Sequence, residues 1–97
     1  MAIAILAEIP GLTQEQYETV VRKVNESGTP AGALFQAGGP IDGDFRVVEV
    51  WVSQEAADAF YGSALYQQAT ATVTTQPRIT TWPVYGLDDG SGWRRTS

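Results

Sequence analysis

"FQAGGPIDGDFRVVEVW", residues 35–51, is the stretch on which the fold of this chain turns. Asp42-Gly43 is a strong two-residue hairpin signal, because both loop positions of a type I′ turn need positive φ. With those two residues as the loop, Ile41 faces Asp44, and every other cross-strand pair follows. A four-residue loop from Ile41 to Asp44 gives the same pairs. Phe35 then opposes Val50, Ala37 opposes Val48, and Ala33 opposes Val52. On the other face Leu34 opposes Trp51, Gln36 opposes Glu49, and Gly38 opposes Val47. The first set is uniformly apolar and is expected to carry the helices. That places Glu49 on the far face, beside Gln36 and near Trp51.

Working outward, residues 2–9, "AIAILAEI", form a short apolar run closed by Pro10-Gly11, which suits a central strand. In "LTQEQYETVVRKVNESG", Thr13 and Gln16 have the spacing of a capping box, and Leu12 and Tyr17 that of a hydrophobic staple. Tyr17, Val20, Val21 and Val24 make one apolar helical stripe, which Gly28 and Pro30 terminate. Strands are expected from Gly32 to about Pro40 and from Phe45 to about Val52. Ser53 can cap a second helix with Ala56, Ala57, Phe60 and Ala64 inward, weakened or bent at Gly62. After the Thr-rich "TATVTTQP", "RITTWPVYGL" is a last strand, and Pro83 assigns it to an edge because proline cannot donate to the ladder. Residues 1–87 thus form one domain, followed by a polar tail over 88–97 that is mobile unless Trp93 docks.

The order β-α-β-β-α-β with right-handed crossovers gives an α+β, ferredoxin-like fold: a four-stranded antiparallel sheet with two helices on one face. The far face would then hold Leu34, Val47 and Trp51 as an apolar patch. A second copy packed sheet against sheet would cover it and could enclose a pocket.

Composition narrows the chemistry. Of 97 residues, 43% are hydrophobic and 18% charged, an ordinary globular balance. Eleven Asp and Glu against six Lys and Arg give a net charge of -5, and the basic residues do not cluster, so no nucleic-acid surface is visible. No apolar run reaches the ~20 residues of a membrane span. The first residues lack the basic leader of a signal peptide, which makes a cytoplasmic protein the default. The chain has no cysteine and no histidine. Thiolate metal sites, cysteine nucleophiles and a Ser-His-Asp triad are therefore excluded, and no acidic cluster has the spacing of a calcium loop. Any chemistry must use Glu, Asp, Tyr, Trp, Arg and Lys, or the reactivity of the substrate.

"AGGPIDGDFRVVEVWVSQEAADAF", with "AEIPGLTQEQYETV" and "WPVYGL", resembles the antibiotic biosynthesis monooxygenase (ABM) family of the dimeric α/β-barrel superfamily. The resemblance covers most of the chain. It implies a homodimer of two sheets closed into a barrel, each subunit with a cavity between sheet and helices or within the barrel. It also implies oxidation of an aromatic or polyketide-like small molecule by O₂ without flavin or metal, hence no cofactor. The substrate supplies the electrons through an anion that reacts with oxygen. Members often carry a histidine where Gln36 stands, and glutamine cannot act as a base. The haem-degrading branch needs a histidine iron ligand that this chain lacks.

Glu49 is the candidate catalytic residue, a proton acceptor for a phenol or enol. Candidate substrate-binding residues are Gln36, Trp51, Leu34, Tyr66 and Trp82, with Tyr61 and Tyr85 as further rings. The plainer readings are a Gln36-bonded structural carboxylate and aromatic residues that only pack. The functional alternatives on the same scaffold are a non-redox cyclase or isomerase and a non-catalytic ligand-binding dimer.

Overall fold

The computed structural model describes residues 1–96. Its elements are β1 (Ile3–Pro10), α1 (Gln14–Asn25), β2 (Ala33–Ile41), β3 (Asp44–Trp51), α2 (Gln54–Tyr61), α3 (Ala64–Ala69), β4 (Arg78–Pro83), β5 (Gly86–Asp88) and β6 (Trp93–Arg95). The four long strands form one antiparallel sheet in the order β2-β3-β1-β4. This is the ferredoxin-like arrangement, with the apolar β1 in the centre and the Pro83-bearing strand on an edge.

The local signals act where the residues place them. Asp42 and Gly43 take φ of 47° and 83°, the positive values a type I′ turn demands. Thr13 and Gln16 close a full capping box at the start of α1. Leu12 and Tyr17 both join a cluster around Phe45 and Val47, so the staple fixes how the chain enters the helix. Gly62 ends α2 outright, and Ser63 caps a separate short helix, so the expected second helix is two. The last strand also divides: β4 stops at Pro83, and β5 pairs with β6 in a small hairpin of its own. In that hairpin the Trp93 indole lies over Gly86, where a Cβ would collide with it unless the ring moved. Asp88 accepts the backbone N–H groups of Gly90 and Gly92 and shapes its turn.

Two expectations about the sheet are corrected. The register holds from Phe35–Val50 through Gln36–Glu49 to Ile41–Asp44, but a bulge between Ala33 and Phe35 brings Ala33, not Leu34, opposite Trp51. The faces are also reversed. The helices cover the side that carries Phe45, Val47, Glu49 and Trp51, where Trp51 packs with Ile5, Ala57 and Phe60. Ala4 and Val50 point the other way, with Ala2 under Val84 and Leu87 from the C-terminal hairpin. Alternation divides a strand into two faces but does not say which one the helices take. Phe45, Val47 and Trp51 fill the space under the helices, whereas the other face of β3 carries Asp44 and Arg46 beside Val48 and Val50 and leaves Phe35 and Trp82 part-exposed.

Candidate functional site

With the faces assigned this way, Glu49 stands between the sheet and the helices, half-buried rather than on the outside. Its position follows from β3 alternation. Phe45, Val47, Glu49 and Trp51 share one face, and the first two and the last are almost fully buried. Only Glu49 among them carries a charge, and its Oε1 receives two donors. The Trp51 indole donates from Nε1 at 3.0 Å, and the Tyr61 hydroxyl donates from the last residue of α2. Neither donor uses Oε2. No buried side-chain nitrogen or oxygen lacks a partner among the described residues, so Oε2 is open to the cavity that Glu49 lines.

That cavity has a volume of about 250 Å³. Its floor is β2 and β3, with Leu34, Gln36, Glu49 and Trp51. One wall is the valine stripe of α1, Val20, Val21 and Val24; the other is aromatic, with Phe60 and Tyr66. The cavity explains why Val20 and Val21 are only half-buried although they face inward. The aromatic wall is held by ring contacts: Trp51–Phe60 at 5.3 Å, Phe60–Tyr66 at 5.2 Å and Tyr61–Tyr66 at 4.9 Å, the last two edge-on.

The electrostatics are one-sided. Burial first, then the hydrogen bond to Glu49 and its charge, hold the Tyr61 hydroxyl far above the ordinary tyrosine value, so it stays a donor. Burial and the Glu49 charge also push Tyr66 up, and Tyr17 at the far end of the helix layer is raised for the same two reasons. No Lys or Arg among the described residues lines the cavity. The site can therefore accept a proton at Oε2 and stack a flat apolar body against rings, and it offers no counter-charge to an anion. No group of three or more Asp or Glu is arranged to hold a metal ion among the described residues.

The structure thus brings together Glu49, Gln36, Trp51, Leu34 and Tyr66. It does not bring Trp82, which pairs with Ala4 on the opposite face and borders a shallow groove with Phe35, Val50 and Tyr85. The place of Trp82 on the outer face follows from the β4 register, which sets it beside Ala4. Tyr61, which the sequence offers only as a further ring, is the principal partner of the carboxylate. Its signal was present: Ala57 and Tyr61 are four residues apart on α2, and Ala57 faces the sheet.

No family model and no curated protein matches the sequence. Solved structures do match the fold. SnoaB, a cofactor-independent oxygenase from Streptomyces nogalater, superposes with a TM-score of 0.69 at 8% identity, over 86% of this chain and 92% of its own. A candidate antibiotic biosynthesis monooxygenase from Caulobacter crescentus gives 0.69 at 18% identity, covering 86% of this chain and 89% of the other. A dimeric ferredoxin-like protein of unknown function from Thermobifida fusca gives 0.64 at 18% identity, with 87% and 92% covered. Identities this low speak to architecture rather than chemistry. The chain has the ferredoxin-like fold of the antibiotic biosynthesis monooxygenase-like proteins.

Proposed function

We propose that this protein is a cofactor-independent monooxygenase-like enzyme that oxidises an aromatic or polyketide-like small molecule with O₂. The observation that carries the reading is a lone carboxylate in an aromatic-walled cavity, one oxygen fixed by two donors and the other open. Oε2 of Glu49 would take the proton of a phenol or enol, leaving an electron-rich anion against the rings of Trp51, Phe60 and Tyr66. That anion would supply the electrons to O₂. For a ring CH₂ flanked by two aryl groups, the overall change is CH₂ plus O₂ to C=O plus H₂O. One oxygen atom enters the substrate, and the other leaves as water. The fold neighbours include a cofactor-independent oxygenase, which agrees with this reading. A homodimer is part of the proposal, formed through the flat outer face of the sheet.

The test is oxygen uptake with a hydroxylated anthrone. The wild type is expected to consume O₂, and Glu49→Gln to lose most of that rate, by about 100-fold or more for a general base. Absence of uptake across a panel of such anthrones would count against an oxygenase. Turnover that continues under strict anaerobiosis would instead identify an isomerase or cyclase using the same carboxylate.

A further inference from the structure

We infer that Tyr61 is the positioning residue of Glu49, and that through it the helix layer sets the direction in which the carboxylate works. The inference rests on the proposed function above for its catalytic meaning, but its geometry stands independently. Glu49 and Trp51 are both borne by β3, two residues apart on one face, so the indole bond ties the carboxylate only to its own strand. Tyr61 is different: it reaches the same oxygen from the helix layer. A carboxylate held by one donor can rotate about its last bond and present either oxygen. Held by two donors that converge on Oε1 from two layers, it keeps Oε2 toward the cavity.

Tyr61 is itself well fixed. It is the last residue of α2, where Gly62 breaks the helix before Ser63 starts α3. Gln67 of α3 donates to the Tyr61 carbonyl at 3.2 Å, and the Tyr66 ring stands edge-on to the Tyr61 ring at 87°. The break at Gly62 therefore gives the positioning residue support from both helices. An uninterrupted helix would not place Gln67 and Tyr66 back against Tyr61 in this way.

The test is Tyr61→Phe, which keeps the ring and removes only the donor. With the anthrone as substrate, kcat is expected to fall by about 10- to 100-fold, the scale of a misaligned catalytic group, while KM stays within about twofold. An unchanged kcat, or a change in KM alone, overturns the proposal. A second readout does not need turnover: the Trp51 indole N–H resonance, which reports the shared oxygen. It is expected to shift in Tyr61→Phe and to shift further in Glu49→Gln. An indole resonance that Tyr61→Phe leaves in place overturns the inference even if the enzyme is active. If the wild type oxidises no anthrone but the resonance moves as stated, the positioning pair stands and the oxygenase reading falls.

Discussion

At the scale of single residues, burial and then the Glu49 charge act on three tyrosines, and the consequence is a pH dependence. Tyr61, Tyr66 and Tyr17 are all held protonated in the folded state above the ordinary value of 10.0, Tyr61 most strongly. A group whose folded value is raised lends stability that is complete below its unfolded value. That stability is lost as pH rises through the window between the unfolded and folded values. Above about pH 10 the unfolded chain releases these protons while the folded chain keeps them, so stability falls with rising pH. Urea midpoints measured from pH 8 to 11 are expected to decline beyond pH 10, and more gently in Tyr61→Phe. A wild-type midpoint that stays flat across that range would show that the phenols are not held as described. The partner role of Tyr61 was legible in principle, from its spacing to Ala57. Its reach to Glu49 was not, because that required knowing which face of β3 the helices cover.

At the scale of elements, the structure departs from simple strand and helix reading at three joints: the bulge in β2, the break at Gly62 and the separation of β5 from β4. The first joint is tied to Gly32. It sits at φ +84°, and a Cβ there would lie 2.7 Å from the Ala56 Cβ and 2.9 Å from a Val52 methyl. Its carbonyl accepts the Val52 N–H at 2.9 Å, which links the entry of β2 to the start of α2. Ala56 cannot swing aside as a long side chain would, so a substitution meets both backbone strain and crowding. Gly32→Ala is expected to cost about 2–4 kcal/mol in a urea titration. Gly62, by contrast, was readable as a weak point in a helix, and Pro83 as an edge marker, since both act through the backbone alone. The bulge itself was not readable: it sets Ala33 opposite Trp51, against the cluster that Trp51 forms with Ile5 and Ala57.

At the scale of the whole molecule, the outer sheet face is only partly covered. The C-terminal hairpin packs over Ala2, Ala4 and Val50 at one end. Phe35 and Trp82 remain 40% and 43% exposed, and beyond them Glu8 and Arg46 form an ion pair at 3.2 Å. Two large exposed rings on a flat strand surface suit burial against another such surface. Under the proposed homodimer, sedimentation is expected to give twice the mass of one chain, and Trp82→Arg to shift it toward one. A wild type that sediments as a single chain at all concentrations would remove the dimer from the proposal. The cavity takes its lining residues from β2, β3, α1, α2 and α3 of one chain. No helix among the described residues is long and apolar enough to cross a membrane.

The sequence alone determined the order of the four sheet strands and the helical segments between them, the hairpin register through Gln36 and Glu49, the cap of α1 and the edge strand. Each of these depends on local chemistry: a turn that needs positive φ, a side chain three residues from its N–H, a missing donor. Only the tertiary structure decided which face of the sheet the helices cover, and with it whether Glu49 meets solvent, a partner or a cavity. Near the hairpin β3 turns charged Asp44 and Arg46 outward, but at its other end Val48 and Val50 face one way and Glu49 and Trp51 the other, so the choice there is made by how side chains fill the space between layers. That is a property of the packed whole, and no single strand carries it.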